Sequence, residues 1–173
     1  MMTIAFIGIV FFFFRQFNIQ ALALSVHSDL TYLVYFPAGI RLLAVLLFNW
    51  LGVAGILLGW ILCNLLADEK TLLECVFLGL ASGLAAWVSL YIWRYFCRIP
   101  INLVSLDLEQ LLALVLISSV IASITRCLVV YLISGEASLG LIFSAGFIGD
   151  VLGTLLIFYV SKFILYLLGF FDK

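Results

Sequence analysis

Charge is what this sequence has least of. Only 10% of its 173 residues are Asp, Glu, Lys or Arg, where a soluble domain carries about 25%. With 67% hydrophobic residues and a mean hydropathy of +1.37, a water-soluble fold is excluded, because a chain this short could not bury so much apolar surface. The net charge is −1 and no basic stripe is present, which excludes nucleic acid as a partner. Histidine occurs once, at His27. It has no second ligand or triad partner, so a solvated loop residue is the simpler reading than a pH-responsive group. Cys63, Cys75, Cys97 and Cys127 are dispersed and mostly within apolar runs. They form no C-x-x-C or Cys/His metal spacing, and read as small buried apolar side chains. No metal and no cofactor is expected. H-E-x-x-H, G-x-S-x-G, P-loop and dinucleotide fingerprints are missing, as is any Ser–His or paired-Asp arrangement within the apolar runs. No enzyme is expected.

What the sequence has is long apolar runs. A spanning helix needs about 20 apolar residues. The runs predict an all-α, polytopic transmembrane helix bundle of about six spans, at 3–25, 32–48, 52–66, 72–96, 110–133 and 139–168, forming one integral membrane domain. The opening MMTIAFIGIVFFFF lacks a basic n-region and a small-residue cleavage site, so it reads as a retained first span. Its second half carries Arg15, Gln16, Asn18 and Gln20. These face lipid poorly, or place Arg15 at an interface if the helix is shorter. Pro37 suits a first helical turn or a break, and Pro100 ends the fourth helix. Asn49 and Trp50 read as an interfacial pair. Trp60, Trp87 and Trp93 read as belt or packing residues. Arg94 and Arg98, with Lys162 and Lys173, place the connection after the fourth span and the C-terminus in the cytoplasm by the positive-inside rule. The N-terminus is then cytoplasmic too, and the turns at Asp29, Lys70 and Glu136 face outward. Lys162 is expected to snorkel to the cytoplasmic surface.

Three charges fall inside spans: Arg41, Arg126 and Asp150. A charge at mid-bilayer is costly and normally faces the bundle interior with a partner. The last two helices share a short turn, so they should be antiparallel neighbours that bring Arg126 and Asp150 to similar depth, with Arg41 near the same level. Gly146, Gly149, Asp150 and Gly153 share one helical face, and Ser119, Ser123 and Arg126 share another. Small residues allow close approach of helices in lipid, so the two faces are expected to meet. Three readings stay open. One is a structural ion pair that fixes helix register. Another is a polar pocket for an anionic or polar ligand. Charges that snorkel to the interface are a third. The Gly55–Gly59 and Gly79–Gly83 steps could mediate oligomerisation, but fit intrachain packing better.

Two segments resemble the bacterial membrane-associated sensor domain of the first-described type. The stretch at 35–66 has its aromatic-Pro-small-x-Gly element, with Phe36, Pro37 and Gly39, and then a hydrophobic hairpin ending near Asn64. The stretch GFIGDVLGTLLI has its aromatic-x-x-Asp-x-x-Gly element, with Phe147, Asp150 and Gly153. The family's usual tryptophan before the proline is Phe36 here, and its modules are longer. The resemblance implies a standalone sensor-like protein of a bacterial inner membrane, with a ligand or a membrane partner bound at Arg41, Arg126 and Asp150. Family modules usually feed a cytoplasmic kinase or cyclic-di-nucleotide enzyme domain, so an output is expected from a partner here. The rival expectation is a substrate-binding or accessory subunit of a membrane transporter or other complex. Beyond the lipid bilayer, the partners in view are a membrane protein or a second copy of the chain.

Overall fold

In lipid, backbone amides must be satisfied within their own segment, which leaves helices or closed barrels. The computed structural model describes residues 1–23, 34–67, 71–97, 108–134 and 139–167, and takes the helical solution throughout. The order is α1 (Met2–Ala23), α2 (Phe36–Phe48), α3 (Trp50–Ala67), α4 (Leu72–Cys97), α5 (Leu108–Ser134) and α6 (Leu139–Leu167). The chain is thus a helix bundle, as its hydropathy predicts. His27, the outward turns, Arg98, Pro100 and Lys173 lie outside the described residues, as do the side chains of Asn64 and Cys97.

The count of about six spans is high. Four described helices, α1, α4, α5 and α6, are long and apolar enough to cross a membrane. The apolar helices at Phe36–Phe48 and Trp50–Cys63 are shorter. At 1.5 Å per residue, α2 reaches only about 20 Å, against about 30 Å of hydrocarbon. Its start is fixed by Pro37 in the first turn, where the missing N–H costs nothing.

The α2–α3 hairpin turns at Asn49, whose φ of 51° is a conformation asparagine tolerates better than most non-glycine residues. The Asn49 side chain accepts a hydrogen bond from Trp87 Nε1 at 2.8 Å, and Trp50 stacks on Trp87 at 4.6 Å. A Cβ at Gly52 would fall on the Ala44 carbonyl, so the hairpin closes this tightly only with glycine there.

The helices α2, α3 and α1 pack mutually, and α3, α4, α5 and α6 pack in succession. The short helix α2 closes the arrangement by packing on α4 and α6 as well. The Gly55–Gly59 step receives Ile7 and Phe11 of α1, and the Gly79–Gly83 step receives Leu57, Trp60 and Val53 of α3. Both are used within the chain.

The two ends of the bundle differ. Ile7, Phe11, Val45, Ile56, Leu90, Trp93 and Leu114 belong to one apolar cluster. They come from early α1, late α2, early α3, late α4 and early α5. The other half, nearer the α1–α2, α3–α4 and α5–α6 connections, holds the buried polar residues Asn18, Arg41, Ser123 and Asp150.

Candidate functional site

Asp150 is fully buried, with 0% exposure, so its charge must be met by the protein. Two arginines meet it. Arg126 Nη2 donates to Asp150 Oδ1 at 3.1 Å, and Arg41 Nη2 donates to Asp150 Oδ2 at 3.2 Å. Arg41 Nη1 also donates to Ser82 Oγ at 3.2 Å. One carboxylate therefore ties α2, α5 and α6 together, and Arg41 extends the tie to α4. By helical rise, Arg126 lies about 12 Å from the Ser134 end of α5, Asp150 about 16 Å from the Leu139 end of α6, and Ser82 about 15 Å from the Leu72 end of α4. These depths agree with one another and sit near the middle of a hydrocarbon core about 30 Å thick.

The tie depends on a close seam between α2 and α6. Tyr35 N–H donates to the Gly149 carbonyl at 3.0 Å. Phe36 N–H donates to Asn18 Oδ1 at 3.0 Å, and Ala38 N–H to the Tyr35 carbonyl at 3.1 Å. With Pro37 lacking an N–H, the first amides of α2 are satisfied within the protein. Cβ atoms at Gly153 and at Gly39 would collide with the Tyr35 carbonyl and with Ile157 respectively. A Cβ at Gly146 would meet the Arg126 guanidinium. The small-residue face of α6 therefore divides its service. Gly146 admits Arg126 from α5, while Gly153 admits the start of α2 and Gly149 offers it a carbonyl. The expected meeting of a glycine face with a serine face is seen at Gly146, which lies near Ser123.

The elements shared with the sensor-domain resemblance fall mostly on this seam. Phe36 packs on Phe17 at 5.8 Å between ring centroids, Pro37 is buried in the first turn of α2, and Gly39, Gly149 and Gly153 make the close approach. Phe147 does not join it, stacking instead on Phe143 at 6.2 Å.

Beside the tie lies a cavity of about 620 Å³, lined by residues from all six helices. That size falls in the range of small-molecule sites, about 300–1,000 Å³. Arg41 and Arg126 line it with Ser82, Thr125 and Tyr35. Arg41 is nearly buried, with 7% of its side chain exposed, but Arg126 keeps 33% exposed. Its guanidinium lies 5.4 Å from the Tyr35 ring centroid, which orients the planar fork without using its donors.

Sequence reasoning missed the part of the lining that α1 and α3 supply. Arg15 and Asn18 of α1 and Trp60 of α3 also line the cavity. The Arg15 guanidinium lies 3.6 Å from the Trp60 ring. A signal was present, since Arg15, Asn18 and Ile19 share one face of the first helix at helical spacing, and an arginine in a span needs a partner. The partner is an aromatic ring rather than a carboxylate, and so left no charge pattern. Of the cysteines, Cys63 and Cys75 are buried and Cys127 is partly so.

Fold and site together define a polytopic α-helical membrane protein with a charged cavity inside its bundle. No known family model, curated protein or solved structure matches the chain.

Proposed function

We propose that this is a sensor-like protein of a bacterial inner membrane that binds an anionic ligand in the cavity beside Asp150. One observation carries the reading. Two guanidinium groups share one buried carboxylate, so the cluster holds an excess positive charge, and the partly exposed Arg126 offers it to the cavity. The two sequence elements that resemble the sensor domain support the same reading. An anion that takes hydrogen bonds from Arg126 competes with Asp150 Oδ1 for that side chain. Its binding therefore changes how α5 is held to α6 and α2. This gives the two arrangements the difference in affinity that signalling requires. The positive-inside rule, applied to Arg94, Arg98 and Lys162, turns the cavity half outward. With four crossings and an α2–α3 hairpin that enters and leaves on one side, both termini remain cytoplasmic, as they would with six.

Arg126→Gln removes the offered charge while Arg41 still holds Asp150. In nanodiscs of zwitterionic lipid, the affinity of the site beside Asp150 for hexanoate or hexyl phosphate is expected to fall at least about tenfold in the variant, the size of one lost charge-assisted hydrogen bond. Calorimetric titration checks this, and a binding isotherm in the variant identical to that of the wild type would count against the reading.

A further inference from the structure

The part of the cavity lining that α1 and α3 supply carries three donors without an acceptor. Arg15 Nη1, Asn18 Nδ2 and Trp60 Nε1 are buried without a hydrogen-bond partner. Asn18 is 1% exposed, and its amide is oriented by Phe36 N–H, which donates to Oδ1. That leaves Nδ2 as the unmet end, a donor only. Trp60 Nε1 is likewise only a donor, and so is every guanidinium nitrogen. Buried polar groups are almost always satisfied, and three unmet donors on one cavity wall need an oxygen-rich partner. The Arg15 guanidinium is already placed by its stack on Trp60, as Arg126 is by Tyr35. The lining also includes the apolar side chains of Ile19, Leu78 and Val129.

From this we infer a second anion subsite at Arg15, Asn18 and Trp60. The ligand class is then a dianion with an acceptor group at each end of an apolar body, one end at Arg126 and the other at Arg15. The inference rests on the anion-binding reading for the nature of the ligand. The unmet donors on the Arg15 wall are independent of Asp150.

The test uses the full chain in nanodiscs of zwitterionic lipid, titrated with two probe sets. One is unbranched α,ω-dicarboxylates and α,ω-bisphosphates of increasing chain length. The other is the matching monoanions. The wild type is expected to take two monoanions or one dianion, with affinity for the dianion peaking at one chain length. There it should exceed the monoanion affinity by about a hundredfold or more, since the second contact forms within the complex. Arg15→Gln should bring the dianion down to monoanion affinity and leave one monoanion site. Trp60→Phe, which keeps the bulk and loses Nε1, should weaken only the dianion. An unfolding midpoint near that of the wild type confirms that these variants remain folded.

Dianion affinity unchanged in both variants would overturn the second subsite while leaving the Arg126 site standing. Loss of all binding in Arg126→Gln, with Arg15→Gln at wild-type affinity, would do the same. Absence of binding by every probe would mean that water alone meets these donors, and would overturn both sites.

Discussion

Asp150→Asn is expected to lower the unfolding free energy of the bundle by about 3–5 kcal/mol, the range for breaking a buried ion pair by removing one partner. Asparagine keeps the shape and one carbonyl oxygen, so it can accept from one arginine. It cannot neutralise either. Arg126, with a third of its side chain exposed, can turn to the cavity and any water there. Arg41, at 7%, has far less access to it, and an arginine held unpaired near mid-bilayer costs about 3 kcal/mol or more. Arg126→Leu should cost less, since Arg41 still neutralises the carboxylate. The double variant should cost less than the sum of the two, with a coupling of about 1–3 kcal/mol. Unfolding by denaturing detergent, followed by circular dichroism, reads all four corners of the cycle. Purely additive losses would show that Arg126 and Asp150 do not pair.

The second large effect is expected at Gly153, where sign alone decides. In a helix, alanine in place of glycine is favourable by about 1 kcal/mol. At Gly153 the added Cβ would fall on the Tyr35 carbonyl. That backbone is pinned by hydrogen bonds from Tyr35 N–H to Gly149 and from Phe36 N–H to Asn18, so it cannot yield cheaply. Overpacking of this kind costs about 1–3 kcal/mol, sometimes more. Gly153→Ala should therefore destabilise the protein and loosen the start of α2. Gly140 lies on the same helix, and a Cβ there would meet nothing among the described residues. Gly140→Ala should be neutral or stabilising. The same detergent titration separates the two, and a stabilising Gly153→Ala would contradict the α2–α6 seam.

Much of the Asp150 tie was legible in the sequence. Charges in apolar helices need partners, a short turn makes α5 and α6 antiparallel neighbours, and helical rise sets Arg126 and Asp150 at similar depth. Arg41 joined them on the same depth argument. Periodicity also picked out the glycines of α6, but not their partners. A face of small residues announces a close approach without saying to what, and at Gly149 and Gly153 the answer is the segment entering α2. The span count ran high for a related reason. Hydropathy reports apolar length, whereas α2 begins where Tyr35 N–H finds a backbone acceptor on α6, a tertiary contact. The pairing of Arg15 with Trp60 was out of reach because α1 packs along α3, and packing order between helices that are not consecutive is not written in hydropathy or spacing.

Native mass spectrometry of the chain released from nanodiscs, wild type beside Arg126→Gln, tests most directly that the cavity holds an anion. The account predicts a wild-type chain carrying one co-purified small anion, and a variant that has lost it at unchanged fold. A wild-type chain that carries no small molecule, or the same adduct on both proteins, would contradict it.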